Sequence, residues 1–226
     1  MREWTPGVTG KGRIVASGQE TRLRADARRN RDRIVTAAKT CFATDGPEVP
    51  VEEIARAAGV APGTLYRHFA DRPALIHAVV LSNFANANAE ARAAAAEEAS
   101  AWDALVRILR QSHELRLSIR LGMAYPHVHE IMKQDPNTDR LRREMLDALD
   151  SVVRRAQAEG TLRTDIGVGD VAFLFALLTF PLAIKLGDIA ELATERCMTL
   201  MLESLRPGSH VPLPGRPLTP ADIADD

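Results

Sequence analysis

Residues 51–69 read VEEIARAAGVAPGTLYRHF, and their spacing predicts two short helices joined by a glycine turn. Pro50, just before them, lacks an N–H, which has no consequence at the start of a helix, where that donor has no partner. Val51, Ile54, Ala55 and Ala58 supply one apolar face at helical spacing. Gly59 follows the last of them, where a chain leaving a helix adopts a left-handed conformation that glycine enters without strain. A second helix then starts almost at once. Pro62 suits its first turn, and Leu65 and Phe69, four apart, form an inward stripe that packs on Ile54 and Val60. Thr64, Tyr66, Arg67 and His68 stay on or near the outer face. Two helices meeting steeply across a short glycine-containing turn make a helix-turn-helix, whose second helix enters the major groove of DNA.

The segment resembles the DNA-binding motif of the tetracycline-repressor (TetR, AcrR-like) family, roughly V-x-x-I-A-x-x-A-G-V-x-x-G-T-L-Y-x-H-F. The chain matches it at Val51, Ile54, Ala55, Ala58, Gly59, Val60, Gly63, Thr64, Leu65, Tyr66, His68 and Phe69. The match continues upstream at Arg33, Ile34, Ala37, Ala38, Phe42 and Gly46, and downstream at Arg72, Leu75 and Ile76. Beyond about residue 90 the resemblance is one of layout. It implies phosphate contacts from Tyr66 and His68, a base-edge or phosphate contact from Thr64, a guanine contact from Arg67, and close approach of the helix to the DNA backbone at Gly63. The chain also departs from the pattern. Val49 and Pro50 stand where many members carry a capping Ser or Thr, and Ala61 and Pro62 offer no side-chain donor before Gly63. Asp71-Arg72-Pro73 replaces the usual lysine at the start of the next helix, leaving Arg72 as the substitute phosphate partner.

Composition agrees with a helical protein. The 226 residues are rich in alanine and poor in aromatics, and show no alternating strand pattern, so an all-α fold is expected. A net charge of −1 conceals an asymmetry. Between Arg22 and Ala43 seven basic residues stand against two acidic ones, a local charge of +5, which leaves the remainder at −6. A basic segment beside a reading helix is the footprint of a phosphate binder. No apolar run is long enough to span a bilayer, and the N-terminus lacks the apolar core of a signal peptide, so a cytoplasmic protein is expected. Cys41 and Cys197 lie far apart inside helical patterns, each read as a small buried apolar residue.

Four segments are expected. Residues 1–24 read as a disordered basic arm, in which Lys11, Arg13, Arg22 and Arg24 either contact DNA or belong to a mobile tail. Residues 25–90 form a DNA-binding head around the motif at 50–69, residues 91–206 a helical body for effector binding and dimerisation, and residues 207–226 a proline-rich disordered tail. About nine helices are expected. The first runs from about Ala27 to Thr44, and the fourth from Ala74 to about Ala96. One capped by Ser100 carries Trp102, Leu105, Ile108, Leu109, Leu115 and Ile119 until Gly122 and Pro126 interrupt it. After a turn at Asp135-Pro136-Asn137, Asn137 or Thr138 caps a helix ended by Gly160, and a last helix runs from about Ile189 to Leu205.

Residues 171–186, VAFLFALLTFPLAIKL, are apolar nearly all round, yet too short and too interrupted by Pro181 for a membrane span, so protein must surround them. The family resemblance implies how. The last two long helices pair with their copies in a four-helix bundle, with Phe173, Leu174, Leu178, Leu182, Met198, Met201 and Leu202 as candidate interface residues. Such a homodimer addresses the two halves of a palindromic double-stranded operator. The resemblance further implies a repressor released by a small-molecule ligand in the body, with Trp102, His113, Leu117, Met123, Tyr125, His127, Phe173 and Leu177 as candidate pocket walls. His127 and His129 sit two apart, so a helix points them in different directions, and no metal site is expected. No nucleophile–base pair, paired carboxylates or phosphate loop stands out, so no catalytic residue and no cofactor is expected. Two other readings stay open: an enzymatic body carrying the head as an appendage, and an interaction module whose head has lost DNA binding through Val49, Pro50 and Pro62.

Overall fold

The computed structural model describes residues 12–179, 189–208 and 211–224, and these contain helices and no strands. The helices are α1 (Gly12–Thr44), α2 (Val51–Ala57), α3 (Pro62–His68), α4 (Arg72–Glu97), α5 (Ala101–Gln111), α6 (His113–Ala124), α7 (Pro126–Gln134), α8 (Pro136–Ala158), α9 (Val168–Thr179), α10 (Ala190–Ser204) and α11 (Ala221–Ala224). The chain divides into two compact units, Met1–Asp71 and Arg72–Asp226, so α4, which the sequence reading carries across its boundary at residue 90, packs with the second unit.

In the first unit α1 begins at Gly12, well before the expected start near Ala27. Residues 13–44 contain no proline and a single glycine, Gly18, and their Arg, Leu, Ala, Glu and Gln favour helix, so nothing stops it from running back. Gly46, at φ +89°, ends it. Ile34, Ala38 and Phe42 on α1, Ile54 and Ala55 on α2, and Leu65 and Phe69 at α3 are all buried. Each large side chain so buried contributes about 1.5–3 kcal/mol.

In the second unit α4 packs along α5, α6, α7 and α8. Trp102, Leu105 and Leu109 of α5, Leu149, Val152 and Val153 of α8, Val171 and Phe175 of α9, and Met198, Met201, Leu202 and Leu205 at α10 form one core. The single helix expected after Ser100 is two helices, because Ser112 (ψ 38°) leaves helical geometry between Gln111 and His113. Ser100 caps α5 as expected, accepting from the Asp103 N–H at 3.1 Å. The cap of α8 is Asp135 instead of Asn137 or Thr138. Its carboxylate accepts from the Thr138 N–H and the Thr138 hydroxyl, both at 2.9 Å, and Pro136 fills the first helical position. Arg107 of α5 ties back to α4 and its end through Glu90, Glu97 and Glu98 at 2.7, 2.9 and 3.0 Å.

Residues 211–224, expected to be disordered, dock on the body. The Gly169 N–H donates to the Leu218 carbonyl at 3.0 Å, and the Leu218 N–H donates to the Asp170 carboxylate at 3.0 Å. A Cβ at Gly167 would lie 2.1 Å from the Leu218 oxygen, so the approach requires glycine there. Arg216 grips Asp222 through two bonds of 2.7 and 2.6 Å, and Asp222 also accepts from the Thr219 N–H and hydroxyl. The pattern of Pro and Gly holds no sign of this, because backbone and short polar groups carry the docking instead of an apolar periodicity.

Candidate nucleic-acid interface

The turn between α2 and α3 is built from backbone bonds. The Gly59 N–H reaches the Arg56 carbonyl at 3.0 Å and the Val60 N–H reaches the Ala55 carbonyl at 3.0 Å, a helix-ending arrangement that places Gly59 at φ +65°. Pro50 makes no side-chain cap, yet its carbonyl accepts from the Glu53 and Ile54 N–H groups, and Glu52 and Glu53 complement the helix dipole in the first turn. Ala61 likewise caps α3 through backbone only, with Pro62 at the first position. The departures at Pro50 and Pro62 therefore leave both helices intact.

A second fastening has no counterpart in the sequence reading. The Arg33 guanidinium donates from Nη2 to the Ala58 carbonyl at 2.6 Å and to the Gly59 carbonyl at 3.0 Å, covering the C-terminal end of α2 with a positive charge. Arg31 stacks its guanidinium 5.0 Å from the centre of the Phe69 ring. In the sequence Arg31 is legible only as part of the basic run and Arg33 as a family-pattern match, and neither contact is visible, since one made 25 residues away, as by Arg33, leaves no local signal.

On α3, Tyr66 is half exposed at 50%, and Arg67 and Gly63 are also open to solvent. Arg67 Nη2 donates to the Thr64 hydroxyl at 2.9 Å, so the two candidate base-reading side chains are brought together. His68 is half-buried, its ring tilted against that of Phe69 with centroids 6.5 Å apart. A Cβ added at Gly63 would meet nothing within 4 Å, so the protein's own packing does not demand glycine there. Arg72 opens α4 and is half-buried. Arg22, Arg24, Arg28, Arg29 and Arg31 lie exposed on α1, with Arg29 paired to Asp26. Lys11 lies outside the described residues.

The body's candidate residues disperse. Trp102 and Leu117 are buried, Trp102 in the core with Arg206 stacked 3.9 Å over its ring. His113, Met123, His127, Phe173 and Leu177 are exposed, and Tyr125 is half-buried. None of these eight lines the apolar cavity that the body's helices enclose. That cavity, about 340 Å³, is walled by α4 (Phe84, Ala87, Ala91), α5, α6, α8 (Arg142, Met145, Leu146, Leu149), α9 (Phe175) and Ile223. Sequence reading places the walls at five aromatic or histidine positions and at Leu117, Met123 and Leu177, whereas the cavity is lined mostly by small and aliphatic residues along helix faces that read as ordinary core.

Of the interface candidates, Phe173 and Leu174 are exposed and Leu178 is half-buried, while Leu182 lies outside the described residues. Met198, Met201 and Leu202 are buried in the body's own core, because they share one face of α10 with Leu205. The apolar residues that α10 exposes are Leu192 and Leu200. Cys41 is buried and Cys197, contrary to the sequence reading, is exposed; both are free thiols. Burial pushes the Cys41 thiol up, with Asp45 and Glu53 adding to the shift. Among the described residues no cluster of His, Cys, Asp and Glu has the arrangement of a metal site, and no helix is long and apolar enough to cross a membrane.

A helix-turn-helix with Tyr66 and Arg67 exposed on its second helix, followed by an all-helical body, defines a DNA-binding regulator. Residues 34–79 match the family model for bacterial regulatory proteins of the tetR family, and residues 100–207 match that for the SbtR-like transcriptional regulator C-terminal domain. The chain belongs to the TetR family of transcriptional regulators. It is 27% identical over 182 residues to the HTH-type transcriptional regulator UidR of Escherichia coli (strain K12), covering 76% of this chain and 86% of that protein. Its fold matches the TetR transcriptional regulator SCO0520 from Streptomyces coelicolor with a TM-score of 0.61 at 27% identity, over 79% of this chain and 99% of that one. A TetR regulatory protein from Mycobacterium vanbaalenii matches with a TM-score of 0.54 at 29% identity, over 82% and 99% of the two chains.

Proposed function

We propose that this chain is a cytoplasmic, homodimeric repressor without catalytic activity, which binds a palindromic operator and leaves it when a small molecule fills the body. The observation that carries this reading is the apolar cavity walled in part by α4. The same helix begins three residues after Phe69, so the element that senses the ligand follows directly on the reading helix in the chain. A ligand need only prefer one arrangement of the two heads to shift the equilibrium between bound and free protein.

At DNA, Tyr66, His68 and Arg72 hold phosphates, and Thr64 and Arg67 exchange their mutual bond for base edges or phosphate. The open space at Gly63 supports close approach of the duplex, since nothing inside the protein calls for a glycine there. Homodimerisation is supported by Phe173, Leu174 and Leu177 of α9 and Leu192 and Leu200 of α10, which leave apolar surface exposed on two neighbouring helices. These positions, with Leu178, make up the described part of the interface.

Selection of bound fragments from a random DNA pool tests the reading. The expected result is an inverted repeat whose half-sites are separated by a helical turn or more, with binding that weakens steeply as salt rises. Recovery of no sequence preference, or of a single unrepeated site, would overturn it. A thermal-shift screen of small molecules then looks for one that both raises stability and releases the operator.

A further inference from the structure

The cavity in the body has mostly hydrocarbon walls, broken by Ser112, His129 and one half-buried cation. Arg142, on α8, lines this space, and its Nε is buried without a hydrogen-bond partner. Among the described residues no carboxylate lies within ion-pair distance of it; Asp139, bound to Arg143, feels its charge only from farther off. Its Nη2 donates to the backbone carbonyl of Ile223, in the docked C-terminal segment. A guanidinium presents a planar fork of donors suited to two carboxylate oxygens, so one neutral carbonyl leaves most of that capacity unspent. An unpaired buried donor of this kind is costly unless a ligand completes it.

We propose that the cavity takes a compact apolar carboxylate, whose acid group pairs with Arg142 in the place held by the Ile223 carbonyl while its body lies among Phe84, Leu115, Leu146 and Phe175. This rests on the effector reading above and names the chemistry of that effector. The volume, about 340 Å³, is at the lower end for small-molecule sites, roughly 300–1,000 Å³, which restricts the ligand to a short acyl chain or a single substituted ring. Residues 216–224 are the competitor built into the chain. They are anchored at Gly167, Gly169 and Asp170, and Ile223 forms part of the cavity wall. Ligand entry therefore displaces the end of the tail, and a tail that cannot dock leaves Arg142 open.

Calorimetric titration of the full-length protein with octanoate and 4-butylbenzoate, each beside its neutral alcohol counterpart, tests both parts. The acids are expected to bind about tenfold or more tightly than the alcohols, as a charge-assisted bond predicts. In Arg142→Met that preference is expected to vanish while the fold persists, because the substitution removes a half-buried, under-satisfied charge and keeps an unbranched apolar chain in place of the arginine stem. Gly167→Ala, which drives a Cβ into the Leu218 carbonyl, is expected to raise octanoate affinity several-fold through loss of the competitor. Acids that bind no better than the alcohols, or not at all, overturn the carboxylate assignment, as does an acid preference that survives Arg142→Met. An octanoate affinity that Gly167→Ala leaves unchanged or lowers overturns the role of the tail. If the alcohols bind and release operator while the acids gain nothing, the effector reading stands and the anchor falls.

Discussion

Gly59 concentrates two requirements at one position. Its φ of +65° is a conformation that costs an L-residue about 1–2 kcal/mol, and a Cβ there would sit 2.7 Å from the Arg33 guanidinium that covers the end of α2. Gly59→Ala is therefore expected to destabilise the head by at least that amount and to weaken operator binding, measured by differential scanning calorimetry and by DNA titration; an unchanged melting profile would contradict it. The contacts proposed for Tyr66 and Arg67 differ in kind, to phosphate and to a base edge. Tyr66→Ala is expected to weaken binding to all sequences alike, whereas Arg67→Ala relaxes preference at one base pair, a difference read by repeating the selection with each variant. The thiols diverge for a simpler reason. Cys197 is exposed and Cys41 is buried with its thiol shifted upward, so a thiol-specific reagent applied to the native protein is expected to modify Cys197 and spare Cys41, as peptide mass mapping would show.

At the scale of an element, α8 depends on Asp135. Burial pushes its carboxyl up, but bonds from the Thr138 hydroxyl and N–H, the Asn137 N–H and the nearby His77 outweigh that and hold it below the usual carboxylate range. A carboxyl depressed in the folded state stabilises the fold at pH values above its unfolded value, and loses that contribution as pH falls through the folded one. Asp135→Ala is expected to cost about 1 kcal/mol at neutral pH, with the difference from the unsubstituted protein shrinking in acid, which denaturant titrations at several pH values will reveal. A difference constant with pH would mean that the carboxylate is not the cap. The motif helices show the contrasting case. α2 and α3 have no side-chain cap at all, and backbone bonds, prolines and the Arg33 guanidinium take over that task.

Across the whole molecule, the unanswered surface is apolar. Phe173 is 56% exposed and Leu200 68% exposed, on helices that are neighbours in the body. If a second copy covers them, the paired substitution Phe173→Asp with Leu177→Asp is expected to yield a folded monomer with greatly weakened affinity for a palindromic site, because two heads no longer bind as one unit. Sedimentation alongside DNA titration checks this, and a dimer that survives both substitutions would move the interface elsewhere.

The sequence by itself determined the all-α class and the reading head. Those depend on local, periodic signals: the stripe Val51-Ile54-Ala55-Ala58, the turn at Gly59 and the spacing of Leu65 and Phe69. The family's motif also lies in this segment, so Gly63, Thr64, Tyr66 and Arg67 are legible as surface candidates from the order of residues alone. Packing decided the rest. Met198, Met201 and Leu202 are apolar at helical spacing whichever surface they meet, and only the fold shows that they face their own core while Leu192 and Leu200 do not. The cavity and Arg142 are illegible for the same reason, since an arginine standing between Arg140 and Arg143 on an amphipathic helix reads as solvated surface. The docked tail is hidden because backbone hydrogen bonds and the absence of a Cβ at Gly167 and Gly169 have no hydrophobic pattern to betray them.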